Sequence, residues 1–332
     1  MRRVARRINH DVSGNHCEVA APRVTLPPMP LAERLRAYLD TPVEALWTLR
    51  GPEAAVPLLA PRIRDVYLEA SARWPDDDVE RVHDVRVATR RLRAALAAVA
   101  PLLRRGAEQR ARARVQALGR TLGPRRAADV SQAWVSAARA ATEDADEQAV
   151  LDRLFGLLAL RRQRTTERLH AYFPVQVLIE DGLVVLEAAV HSSPDGPRLD
   201  VGIDAELRGR VREVTRHLPS MGTPHDDEGH HELRIALKRL RYTCELAQQA
   251  WPGRVPDGVL PGLKAMQGAL GQLHDRVDVI VLLDTPRARR SVPPRGVASI
   301  LARIRAERAE WLARAQAVVE AEAEGVLRTL AM

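Results

Sequence analysis

Residues 82–93 read VHDVRVATRRLR, and residues 230–241 read HHELRIALKRLR. A single offset of 148 residues sets His83 on His231, Arg86 on Arg234, Arg90 on Lys238, Arg91 on Arg239 and Arg93 on Arg241. The same offset sets Leu122-Gly123 on Leu270-Gly271, so the register holds downstream of the phrase without net insertion. An internal repeat of this kind predicts a duplicated architecture, two similar halves built to one plan.

On a helix advancing about 100° per residue, positions 83, 86, 90 and 93 fall within a sector about 80° wide. His83, Arg86, Arg90 and Arg93 therefore share one face. Val85, Ala88, Leu92, Leu96 and Val99 share another, about 140° away, suited to packing in a bundle. The second phrase repeats both faces: His231, Arg234, Lys238 and Arg241 on one, Leu233, Ala236, Leu240, Cys244 and Ala247 on the other. Like charges at spacings of three and four destabilise an isolated helix by a few tenths of a kcal/mol per pair. A solvated surface face, partly compensated by Glu80, Asp84, Glu228 and Glu232, accounts for one such row. Two rows in one register, each headed by histidine and followed by Leu-Gly, point to an anionic ligand.

Composition agrees on fold class. Hydrophobic residues make up 46% and aromatics 3%, with Ala, Leu, Arg and Glu abundant, which favours helices and excludes an all-β fold. The chain of 332 residues has a formal net charge of +8, and all its basic residues except Lys238 and Lys264 are arginines. Arginine's planar fork suits bidentate contact with phosphate. Arginine richness also arises from genome composition, so position has to decide between the two. Cys17 and Cys244 are too few for a disulfide framework or a thiolate metal cage, and Cys244 reads as a small buried hydrophobe. No apolar stretch has the length needed to span a bilayer, and the N-terminus lacks the apolar run of a signal peptide. A cytoplasmic location is the expectation.

Along the chain, residues 1–29 read as a disordered tail, 30–190 as the first helical half and 191–332 as the second. Helices are predicted at about 31–74 with breaks at Pro42, Pro52, Pro57 and Pro61, then at 77–103, 106–121, 125–142 and 146–172. Gly123-Pro124 is the expected sharp break. Residues 175–191 fit a helix or a short strand. HSSPDGPRLDVG, residues 191–202, reads as a connector. The second half predicts helices at 203–218, 227–250, 257–272, 275–285 and 297–329. The acidic runs 76–78 and 226–228 read as helix starts, where carboxylates answer the dipole and cap free amides.

With LGPRRAADV after the first phrase and MQGALGQLHDRVDV after the second, the chain resembles the CHAD domain family, the conserved histidine α-helical domain, over about residues 55–330. The resemblance implies an all-α fold of two four-helix bundle halves related by a pseudo-two-fold axis, with a central basic groove that binds inorganic polyphosphate. It implies no cofactor, and a location that includes polyphosphate granules. Carried over by position, the binding residues are His83, Arg86, Arg90, Arg91, Arg93 and Arg126 in the first half and His231, Arg234, Lys238, Arg239 and Arg241 in the second. The family's LG-x-x-R-D-x-D pattern is broken at Ala127, while Arg126 and Asp129 remain and Asp275 is kept after His274. That departure weakens a metal site built from the Asp pair and leaves Arg126 freer to meet an anion.

Three functions fit these residues. The first is non-catalytic polyphosphate binding, with other polyanions held more weakly. The second is a metal-dependent phosphohydrolase or phosphotransfer enzyme using His83 and His231; no HExxH or Walker A motif accompanies them. The third is sequence-independent nucleic-acid binding, which ordinarily adds stacking aromatics, and Tyr242 is the only one in either phrase.

Overall fold

The computed structural model describes residue 33 and residues 36–71 and 79–331. The proposed tail at 1–29, Cys17 and the acidic run 76–78 lie outside the described residues. After a 3-10 turn, Val43–Thr48, come α1 (Gly51–Ser71), α2 (Val79–Val99), α3 (Arg105–Ala141), α4 (Ala145–Tyr172), α5 (Val175–Val190), α6 (Leu199–His217), α7 (Asp227–Ala250), α8 (Val259–Leu283), the single turn α9 (Pro286–Arg289) and α10 (Pro294–Ala331). Among the described residues there is no strand, only an isolated bridge between Arg50 and Arg198. The fold is all-α. No helix is long and apolar enough to cross a membrane, among the residues described.

The two phrases form α2 and α7, and their apolar faces are buried as the spacing requires. Val85, Ala88, Leu92, Leu96 and Val99 are nearly solvent-free, as are Leu233, Ala236, Leu240, Cys244 and Ala247. Burial pushes the Cys244 thiol up to about 12, so this cysteine behaves as a small apolar group. α7 starts where its acidic run predicts, with the Asp226 side chain accepting from Gly229 N at 2.9 Å.

α1, α2, α3 and α5 pack on one another, and α6, α7, α8 and α10 do likewise. Contacts of α2 with both α6 and α7 join the two sets, and one continuous apolar core runs through all eight helices. A smaller core lies apart from it. There the far ends of α3, α8 and α10 carry Val135, Val279 and Ile300, which pack around Leu151, Leu154 and Leu158 of α4. The segment 191–198 connects α5 to α6 and folds back on the start of α1: Leu199 N donates to Leu49 O at 2.9 Å, and Arg50 Nη1 to Gly196 O at 2.8 Å. Gly51 sits at this crossing with φ of +51°, where a side chain would also press on the Ser193 carbonyl.

Several expected breaks are absent. Pro124 lies inside α3, which runs unbroken through the predicted stop between 121 and 125. An interior proline costs about 3 kcal/mol, but Leu122, Arg125, Ala128 and Asp129 are buried around it. Packing of the flanking turns decides the outcome, and Pro124 is itself exposed, so water can reach the region of the freed carbonyl. α8 likewise continues past 272–275. Pro57 and Pro61 sit within α1. The donor missing at Pro61 is the one that would have met the Pro57 carbonyl, so both defects fall on one strip of the helix. Residues 175–190 are helical, with Leu178, Val185, Ala188 and Ala189 buried at helical spacing.

Candidate functional site

α2 and α7 lie against each other with their basic faces opening into one groove of about 770 Å³. It is lined by His83, Arg86, Arg90 and Arg93 from α2, Arg126 from α3, and His231, Arg234, Lys238 and Arg239 from α7. Nine of the eleven residues singled out in the sequence thus meet in one place. The Leu-Gly repeat has a role here. A Cβ at Gly123 would lie 3.7 Å from Arg86 Nη1, and one at Gly271 3.8 Å from Arg234 Nε, so each glycine gives the guanidinium of the facing helix a flat bed.

Arg91 and Arg241 stand apart from the groove, and the reason is a pair of differences between the halves. Arg241 Nη1 donates to Glu245 Oε1 at 2.6 Å and Arg241 Nε to Gln267 Oε1 at 2.8 Å. At the same offset the first half has Ala97 and Gly119, so Arg93 has neither anchor and reaches the groove, its Nη1 3.5 Å from where a Gly119 Cβ would be. Arg91 is drawn toward the same Glu245, 3.9 Å away, across the two helices. Its counterpart Arg239 lines the groove while paired with Glu213 on α6.

Many arginines outside the groove, and some at its wall, have carboxylate partners; Arg210, for example, donates to Glu206 at 2.7 Å and to Glu213 at 2.5 Å. In the groove the balance changes. Arg86, Arg93, Arg126 and Lys238 make no hydrogen bond or ion pair among the described residues, and Arg234 Nε is buried without a hydrogen-bond partner. Burial, reinforced by Arg90, Arg126 and Arg234, lowers the Arg86 guanidinium to about 9. Lys238 is brought down to about 6, first by burial and then by Arg234, Arg90 and Arg86, with Asp275 opposing weakly. Cations crowded and unpaired in a half-buried space store electrostatic free energy that an anion would release.

Tyr242 also lines the groove, its hydroxyl accepting from Arg90 Nη1 at 3.4 Å and its ring under Arg241, 4.5 Å from the centroid. It is only 5% exposed, so it orients arginines and offers no face for a stacked base.

Sequence reasoning missed several lining residues: Arg112, Arg210, Tyr242 and Asp278. Arg210 and Arg112 come from helices outside the repeat phrases, and nothing in their spacing marks them. His274 and Asp275 line the groove as well. His274 Nδ1 is 3.3 Å from His231 Nδ1, and burial, with Arg234 and His231 beside it, lowers His274 to about 3. Two ring nitrogens at that distance share one proton, so this imidazole pair carries at most one charge while the contact lasts. Asp129 is turned away from the groove. It is 5% exposed and accepts from Arg125 Nε at 3.0 Å and Arg162 Nε at 2.8 Å. Among the described residues, no three His, Cys, Asp or Glu side chains are arranged to hold a metal ion.

A comparison with curated proteins finds no match. Among solved structures, the chain is similar to the CHAD domain from the plant Ricinus communis, with 21% identity, a TM-score of 0.61 and coverage of 88% of this chain and 97% of that one. It is also similar to PptA from Streptomyces chartreusis, with 19% identity, a TM-score of 0.63 and coverage of 83% and 99%. Both likenesses are of fold. The CHAD domain family model matches residues 60–284, from α1 through the end of α8, and takes in both basic phrases; the chain belongs to the CHAD domain family.

Proposed function

We propose that the groove between α2 and α7 binds inorganic polyphosphate without chemical turnover, each half supplying part of one continuous site. The observation that carries this reading is the set of cations from both halves, Arg86, Arg93, Arg126 and Lys238, that share the groove without forming a hydrogen bond or ion pair among the described residues. Polyphosphate is a flexible chain with about one charge per phosphate. A row of guanidinium groups grips it through charge-assisted hydrogen bonds and releases its counterions, with no need to read bases. Cellular polyphosphate granules are where such a protein would meet its ligand. The burial of Tyr242 weighs against a single-stranded nucleic acid as the principal ligand.

Calorimetry with linear polyphosphate of defined length tests the reading. Affinity is expected to fall steeply and log-linearly with salt, since several phosphate contacts release counterions. RNA of equal charge is expected to compete poorly. Incubation with polyphosphate or nucleoside triphosphates, with Mg²⁺ or Mn²⁺ present, is expected to release no phosphate above background. Sustained release that His83→Ala abolishes would establish the phosphohydrolase instead.

Lys238 adds a proton to the binding equilibrium. Its ammonium is brought down to about 6 by burial and the neighbouring arginines, so at pH 7 the group is mostly neutral; a bound polyanion favours the charged form and raises that value. Binding at pH 7 is therefore expected to take up protons. The sign follows directly: affinity is highest below pH 6, where the ammonium already exists, and declines as pH rises through 6 until it passes the pKa of the complex. Measured enthalpies in buffers of different ionisation enthalpy should differ accordingly, and Lys238→Arg, which is charged throughout, should shrink that difference. Enthalpies that are identical in all buffers would remove Lys238 from the mechanism.

A further inference from the structure

The two halves do not line the groove with the same charges. At the offset of 148 residues, Arg126 corresponds to His274, Ala127 to Asp275 and Val130 to Asp278, and all six line the groove. The first half thus contributes Arg126 with no carboxylate at these positions, and the second contributes His274, beside His231, and two aspartates. Asp278 Oδ2 lies 3.7 Å from His274 Nε2, and neither Asp275 nor Asp278 forms a salt bridge with an arginine or lysine among the described residues. Burial raises both carboxyl groups and Asp275 raises Asp278 further, against Arg234, Lys238, Arg276 and Arg126 at Asp275 and Arg234, His231 and Arg161 at Asp278, so the two aspartates lie close together among the cations of the groove.

For the interior of a polyphosphate chain these carboxylates are repulsive. An interior phosphate is fully ionised and carries no proton, so a carboxylate beside it meets only like charge. The terminal phosphate differs. Its second ionisation falls near pH 6, as for a phosphate monoester, so near neutrality it keeps a hydroxyl for part of the time and can donate an O–H···O⁻ hydrogen bond to a carboxylate. Two carboxylates beside an imidazole pair therefore accept a chain end and reject a chain middle.

We propose that Asp275 and Asp278 are specificity residues that dock the terminal phosphate of a polyphosphate chain, the rest of which runs back over Arg234, Lys238, Arg90 and Arg86. The proposal rests on the polyphosphate reading above. It gives the bound chain a direction, with its terminal phosphate at the two aspartates.

The test compares linear polyphosphate with the same chain capped at both terminal phosphates as alkyl esters, which removes the donating hydroxyl and leaves the interior unchanged. At a pH of about 6, where the terminal hydroxyl persists, capping is expected to weaken binding to the unmodified protein at least tenfold. Asp275→Asn/Asp278→Asn is expected to bind both chains equally. Asp278→Asn alone, at a partly exposed position, serves if the double variant folds poorly, and it should abolish at least half of the capping penalty. Equal binding of capped and uncapped chains by the unmodified protein would overturn the proposal. A penalty that survives in the variants would overturn it too, as would an aspartate effect that appears only with Mg²⁺ and equally for both chains, which marks a bridging cation. Failure of the unmodified protein to bind either chain would instead remove the polyphosphate reading itself.

Discussion

Changing Arg86, Arg93 and Arg126 together to alanine is expected to weaken binding of long-chain polyphosphate at least a hundredfold. Each is unpaired in the free protein, so its whole hydrogen-bonding capacity is available to phosphate. A hydrogen bond to a charged group is worth about 1.5–3 kcal/mol net, and losing three contacts at even about 1 kcal/mol each gives about 3 kcal/mol, or two powers of ten. The second half feels the loss as well. A chain gripped at one end is presented to the other at high effective concentration, and that advantage goes when one half is neutralised. Arg234 and Lys238 changed to alanine should accordingly weaken long-chain binding by well over tenfold, with a smaller loss for short chains. By contrast, Arg91→Ala/Arg241→Ala should change affinity less than threefold, because those two arginines do not line the groove and are held by Glu245 and Gln267.

Stability gives an independent readout for the same variants. The altered positions lie off the buried faces of α2 and α3, alanine favours helix, and the mutations remove repulsion among crowded cations. The triple variant should melt at the same temperature as the unmodified protein or higher, a trade of stability against function common at binding sites. Calorimetric titration then distinguishes a shared groove from two separate ones. If the triple variant kept full affinity at half the stoichiometry, the two halves would be independent sites.

Asp129→Ala is expected to do the opposite: destabilise the fold by about 3–5 kcal/mol and leave the groove's chemistry intact. The Asp129 carboxylate serves Arg125 and Arg162 together, and Arg125, 1% exposed, also donates to Thr166 of α4. The mutation withdraws the negative charge from two guanidinium groups packed between α3 and α4. A buried ion pair is weak evidence of net stability against an apolar replacement, but deleting one partner is costly because the other charge stays behind. Chemical denaturation should register the loss as a lower midpoint, and Asp129→Asn, which keeps an acceptor, should lose less. At temperatures where the variant is folded, its polyphosphate affinity should stay within a few-fold of the original. An affinity loss matching that of the groove variants would return Asp129 to the binding site.

The sequence determined a good deal by itself. Helical periodicity in the two phrases separated a basic face from an apolar one, and the burial of Val85, Leu92 and Val99, with Leu233, Leu240 and Ala247 at the same register, follows from that local pattern. The acidic start of α7 was equally legible, because a cap acts within one turn. Which elements continue was not. Pro124 reads as a stop because its cost is local, whereas the packing that carries α3 through it comes from residues far away in the chain.

The split within the basic rows was also beyond the sequence. Arg93 and Arg241 are equivalent by offset and both read as ligands, yet one opens into the groove and the other is held by Glu245 and Gln267. Glu245 is four residues along the same helix and visible in the sequence, but Gln267 belongs to α8 and reaches Arg241 only when the helices pack. The convergence of Arg210 from α6 and Asp278 from α8 on the same groove has the same origin. Charge pairing across helices depends on distances of a few ångströms, and those are fixed by how apolar faces far apart in the chain come together in the core.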